Sequence, residues 1–207
     1  MSDALRYGLT EIGHPIAEGS AGKVDKLKLG FWIFLGSECV FFASLIGTYL
    51  ALRGRQVSGP APMDIFNIPM TTVSSFVLLM SSFTMVLAVA AIQNADVKAM
   101  RKWLLSTALL GIVFLGFQVF EFASFYHEGL SLTGGIFGAT FFTLTGFHGL
   151  HVAIGVLWLL SVFGYSLKGG ITPEKAVKVE LAGLYWHFVD VVWIAIFTVV
   201  YLFEVAR

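Results

Sequence analysis

The sequence predicts an all-α polytopic membrane protein, with five transmembrane helices in a bundle. Two observations carry this. The 207 residues are 57% hydrophobic and only 13% charged, whereas a soluble domain is about 45–50% apolar and about 25% charged. The apolar residues also gather in five runs, each long enough for the roughly 20 residues that cross a bilayer. Backbone groups in hydrocarbon must be satisfied within the segment, which leaves helices or a closed barrel. The runs are too long and too uniformly apolar for the alternating strands of a barrel.

Residues 1–28 are polar throughout and lack the apolar stretch of a secretory signal. They read as a cytoplasmic tail ahead of a single membrane domain, 29–207. The first span is placed at 29–52, from "LGFWIFLGSECVFF" to "TYLAL". A Pro-rich loop, "RGRQVSGPAPMDIFNIP" at 53–69, leads to the second at 68–92, and the third follows at 103–126. The fourth, 136–167, would reach roughly 45 Å at 1.5 Å per residue, so it should tilt or project from the bilayer. The fifth is placed at 184–205. Trp103 and Trp186 stand at span entrances, where interfacial anchors sit.

Lys and Arg set the orientation. The tail, the second loop and the fourth loop together hold ten, and the opposite side holds only Arg53, Arg55 and Arg207. The N-terminus is therefore expected in the cytoplasm and the C-terminus outside. Zero net charge gives no footprint for nucleic acid, and a single cysteine, Cys39, allows neither an internal disulfide nor a cysteine metal cluster.

Glu38, Glu121, His148, His151, His187 and Asp190 fall inside the spans. Ionisable residues are costly there, and each is a functional candidate; the alternative is that they hydrogen-bond neighbouring helices together. Glu38 lies about 14 Å from the start of its span. An unpaired carboxylate at that depth favours its neutral form, and Glu38 is the candidate for it. His148 and His151 share a helix face, as do His187 and Asp190, which are placed to pair. Small residues such as Gly146, Gly149 and Ala153 leave room for a close helix neighbour. Three membrane histidines could ligate a haem in principle, but they are too few for a haem–copper centre with a second haem. A zinc or copper site wants more convergent ligands. No nucleophile elbow or phosphate loop occurs.

Four stretches go beyond composition: "GFWIFLGSECVFFASL" at 30–45, "FEFASF" at 120–125, "FGATFFTLTGFHGLHVAIG" at 137–155 and "VELAGLYWHFVDVVWIAIFTVVYLFE" at 179–204. In order and spacing they resemble subunit III of haem–copper terminal oxidases, in its shorter five-helix bacterial form. In the longer form, two further helices complete a V-shaped cleft that holds phospholipid, and some relatives supply two equivalent helices from another subunit.

The resemblance implies a chain without catalytic centre, haem or copper. Such a chain packs on oxidase subunit I, which carries the redox cofactors, and assembles with subunit II and a possible subunit IV. It implies bound phospholipid, support of proton uptake and turnover stability, and a place in the bacterial cytoplasmic membrane. Cytochrome c or quinol would reach the complex through other subunits. Glu38 matches the family's buried glutamate, His148 and His151 its "HGLH" pair, His187 and Asp190 its "WHFVD" motif, and Glu121 the acid of its third-span motif. Two other readings stand beside this one. A proton-coupled transporter would use Glu38 and Asp190 and should carry broken helices or repeats. A b-type cytochrome would use the histidines.

Overall fold

The computed structural model describes residues 26–55 and 66–203. The helices are α1 (Lys26–Leu52), α2 (Ile68–Gln93), α3 (Val97–His127), α4 (Ile136–Leu167) and α5 (Val177–Ile196), which continues as a π-helical segment over Phe197–Leu202. A single 3₁₀ turn, Pro173–Lys175, precedes α5. Among the described residues there is no strand, and five helices are long and apolar enough to cross a membrane.

The expected spans therefore exist, with three starts moved: α1 begins three residues before the expected 29, and α3 and α5 move further. Helix α3 begins six residues before the expected 103, because the Asp96 carboxylate caps its first turn by accepting from Ala99 N at 2.9 Å. Helix α5 begins seven residues before the expected 184, taking Lys178 and Glu180 into its first turns. Hydropathy marks where a span enters hydrocarbon, and these helices start earlier. The expected polar tail lies outside the described residues except for 26–28, which belong to α1.

The chain divides into two compact units, residues 1–34 and 35–207. Of the first, Lys26–Phe34 are described; they are helical, with Trp32 and Ile33 exposed. In the second, α2 packs on α3, α3 on α4, α4 on α5 and α5 back on α2, closing a ring of four helices. Each contributes a seam at three- and four-residue spacing, such as Met100, Leu104, Ala108, Gly111, Phe114, Gln118, Glu121 and Phe125 on α3. This is the spacing of left-handed helix packing. From Leu35 onward α1 buries only Leu35, Phe42 and Tyr49.

The connections are tight. Helices α2, α3 and α4 each end in a turn closed by an N–H donating to the carbonyl five residues back: Asp96 to Ala91, Leu130 to Phe125, and Gly170 to Tyr165. Gly129 and Gly169 supply the left-handed residue in two of these turns, and Ala95, at φ 60°, supplies it in the third.

Candidate functional site: a polar seam inside the four-helix ring

The buried seam is unexpectedly polar. Thr71, Ser74, Ser75, Ser81, Thr107, Gln118, Glu121, Thr145, His148 and Asp190 are all buried. In hydrocarbon such groups must find partners within the protein, and most do so across helices.

Helices α2 and α5 are joined by three rungs. Trp193 Nε1 donates to Ser75 Oγ at 2.8 Å, Trp186 Nε1 donates to Ser81 Oγ at 2.9 Å, and His187 Nδ1 bonds Ser82 Oγ at 2.6 Å. From Ser75 to Ser81 the partner falls from Trp193 to Trp186, as antiparallel helices require, and Ser82 reaches the adjacent His187. Each tryptophan-bonded serine passes its own proton to a carbonyl of its helix, Ser75 to Thr71 and Ser81 to Leu78. Trp186 is fully buried and is no interfacial anchor. Its ring lies between Gly111 of α3 and Gly155 of α4, where an added Cβ would meet it at 2.5 and 2.9 Å respectively.

His151 sits at the junction of α4 with α1. Its Nδ1 approaches Phe147 O at 2.7 Å and its Nε2 approaches Glu38 Oε2 at 3.2 Å. A carbonyl only accepts, so Nδ1 carries a proton. The second bond then needs one shared proton, held either as the acid on Glu38 or as imidazolium on His151. Glu38 thus has a partner, against the expectation of an unpaired carboxylate. Tyr185 Oη donates to His151 O at 3.1 Å, and Phe42 covers the ring at 5.0 Å.

His148 shares the helix face but not the partners. It is completely buried, stacked on Trp193 at 5.0 Å with Phe114 at its edge, and neither ring nitrogen has a hydrogen-bond partner. His187 and Asp190 do not pair, because His187 bonds Ser82. Ser82 also lies near Asp190, yet neither carboxyl oxygen of Asp190 has a partner of hydrogen-bond geometry.

Glu121 closes the other end of the seam. Thr71 Oγ1 lies 2.8 Å from its Oε1 and also 3.1 Å from Asn67 O. Tyr201 faces Glu121 from α5, and its hydroxyl makes no hydrogen bond. Phe66, Phe125 and Phe141 surround the Tyr201–Glu121 region.

Of the small residues, Gly149 receives the Gln118 amide, whose Nε2 donates to Thr145 O at 2.8 Å. Gly146 has nothing within 4 Å of a Cβ position and instead lines a groove of about 220 Å³ with Gln118, Phe122 and Gly149. Ala153 is half-buried.

The serines of α2 and the residues Gln118, Thr71, Tyr185 and Tyr201 were not singled out as site residues from the sequence. A signal was there: "SS" at 74–75 and 81–82 repeats at seven residues, as do Trp186 and Trp193. Among the described residues no group of three or more His, Cys, Asp or Glu converges as metal ligands would.

A protein-family model described as Cytochrome c oxidase subunit III matches residues 17–205. Cytochrome c oxidase subunit 3 of Bacillus sp. (strain PS3) is 47% identical over 174 residues, 84% of each chain. Quinol oxidase subunit 3 of Bacillus spizizenii is 43% identical over 84% of this chain and 85% of its own. Cytochrome c oxidase subunit 3 of Alkalihalophilus pseudofirmus is 44% identical over 86% of each.

Proposed function

This chain belongs to the cytochrome c oxidase subunit III family, and on that premise we propose that it is the non-redox subunit III of a proton-translocating haem–copper terminal oxidase. The observation that carries the proposal is the match over residues 17–205, with relatives at 43–47% identity along most of both chains. The complex reduces oxygen to water in aerobic respiration. The chain itself works by packing on subunit I, alongside subunit II and a possible subunit IV, in the bacterial cytoplasmic membrane. Its tail faces the cytoplasm, as the bias of Lys and Arg supports.

Haem and copper belong to the partner subunits in this reading. The buried groups here serve to join helices, as the Trp186–Ser81 and Trp193–Ser75 bonds do. Exposed apolar side chains on α1, α3 and α4, such as Val40, Val119 and Leu157, suit contact with phospholipid and partner helices. The shared proton of Glu38 and His151 suits a supporting role in proton uptake. Relatives named for cytochrome c and for quinol stand at similar identity, because the donor is met by other subunits.

The test is purification of the tagged chain in mild detergent. It should bring with it a haem-bearing subunit and oxygen-consuming activity. A chain that purifies alone, with a haem spectrum lost in His148→Ala, would overturn the proposal.

A further inference from the structure

The outward seam between α3 and α4 is a trough. Gly146 and Gly149 of α4 form its floor, with Val119 and Phe122 of α3 on one side and Phe147 and Leu150 of α4 on the other. Two grooves, of about 220 and 330 Å³, meet at Gly146. Val119, Phe147 and Leu150 are exposed, and a Cβ at Gly146 would meet nothing within 4 Å.

Two polar groups along this trough are left over. Gln118 is buried; its Nε2 donates to Thr145 O, and its Oε1 has no partner. Oε1 lies 2.6 Å from the position of an added Cβ at Gly149, so it takes the place that a side chain would fill on the trough floor. The amide turns about a soft terminal torsion, which lets Oε1 meet a donor lying in the groove. Thr143 stands one turn before Gly146 and borders the larger groove. The other hydroxyls of α4, on Thr140, Thr145, Ser161 and Ser166, return to carbonyls of their own helix. That of Thr143 makes no hydrogen bond among the described residues.

Depth and chemistry select the occupant. Gly149 is close to the midpoint of α4, and Gln118 lies about 14 Å along α3 from its His127 end. Lipid headgroups stay outside a hydrocarbon core about 30 Å thick, and acyl chains offer no donor to a carbonyl oxygen. A donor at this depth comes from protein. A second copy meeting the trough about a two-fold axis would set the same patch against itself, and a trough against a trough leaves both floors empty. A helix ridge fits: a bulky apolar side chain over Gly146 and a polar one level with Gln118, as in membrane helix pairs.

We propose that the α3–α4 trough holds a transmembrane helix of another subunit, whose side-chain hydroxyl or amide donates to Gln118 Oε1. The proposal rests on the reading of this chain as one subunit of a membrane complex and assigns the face that the partner takes.

The test uses the tagged complex in mild detergent. A benzophenone side chain placed at Phe147 should join another polypeptide, through a transmembrane segment that bears a hydroxyl or amide. Gly146→Leu fills the trough from within, and its Cβ meets no neighbour in the chain. At equal recovery of the chain, this variant should retain the labelled partner about tenfold less than wild type. Gly116→Leu, which fills the groove between α2 and α3 instead, should retain it as wild type does. Photoadducts with lipid alone or with a second copy would overturn the proposal, as would retention unchanged in Gly146→Leu or lost equally in both variants. If Gly146→Leu lowers recovery of the chain itself, the photoadduct decides. A polypeptide adduct in a preparation without haem would count against the oxidase reading and not against the trough.

Discussion

Trp186 is held by two glycines and one serine, and Gly111→Ala tests whether that wedge sets the packing of the ring. The new methyl carbon would stand 2.5 Å from Trp186 Cη2 and 2.9 Å from both Trp186 Cζ2 and Val156 Cγ2. Ordinary carbon contacts lie at about 3.5–4.0 Å, so the indole must retreat by about 1 Å. Gly155 blocks that retreat, since ring atoms already lie 2.9 Å from its Cβ position. A shift of that size would also stretch the 2.9 Å bond to Ser81 beyond hydrogen-bond range. Overpacking costs about 1–3 kcal/mol, and a buried N–H left unpaired costs about 1–3 kcal/mol more. A net loss of about 2–4 kcal/mol is expected, since partial relaxation spares some of each; at about 1.4 kcal/mol per decade this is about two orders of magnitude in the unfolding equilibrium. The assay is equilibrium unfolding in mixed micelles, with Gly116→Ala as the control. Gly116 is on the same helix with nothing within 4 Å, so its variant should match wild type or gain up to about 1 kcal/mol from the helix preference of alanine over glycine. Equal midpoints for the two variants would refute the wedge.

Other outcomes follow from the same geometry. Ser75→Ala and Ser81→Ala each orphan a buried indole N–H, so each should cost about 1–3 kcal/mol in the same assay. The two serines lie about 9 Å apart along α2, so their costs should add in the double variant; strong coupling would argue against separate rungs. Glu38→Gln keeps a donor for His151 Nε2 and Glu38→Ala does not. Both should leave the haem spectrum of the purified oxidase unchanged, while Glu38→Ala shortens the lifetime of activity during turnover; loss of the spectrum would mean that this chain helps to build the redox site. Ala95→Gly relieves a left-handed alanine and should stabilise by up to about 1 kcal/mol, whereas Gly129→Ala should destabilise. Lys98→Cys should react with an impermeant thiol reagent only from the cytoplasmic side of sealed vesicles; reaction from outside would reverse the orientation.

The five spans were legible because bilayer thickness imposes a length that hydropathy alone can measure. The α4 limits, 136–167, were read directly from the apolar run, which Gly135 and Lys168 bound on either side. The starts of α3 and α5 were less legible, since Lys98, Arg101, Lys178 and Glu180 read as loop by hydropathy and are helical in the structure, with Asp96 capping the first turn of α3. Within the spans, hydropathy carries no information on facing, because lipid and protein interior are both apolar. The polar residues carry it instead: Ser75, Ser81, Gln118, Glu121, His148 and Asp190 all lie on the buried seam. Shared faces suggested that neighbours such as His187 and Asp190 pair along the helix, but the partner came from α2, a relation that no spacing within one helix can express.

Glu38 and His151 stand 113 residues apart in the chain. Synthesis at about 5–20 residues per second therefore leaves the carboxyl waiting for roughly 6–23 s before its imidazole is even made. The serines of α2 face a similar delay before α5 arrives. The first helices thus enter the membrane carrying polar groups whose partners come last, and a ribosome that stalls before α5 leaves Ser75, Ser81 and Ser82 without their partners. Biogenesis of this chain is a matter of timing: until α5 is made, Ser75 and Ser81 keep only the bonds to carbonyls of their own helix.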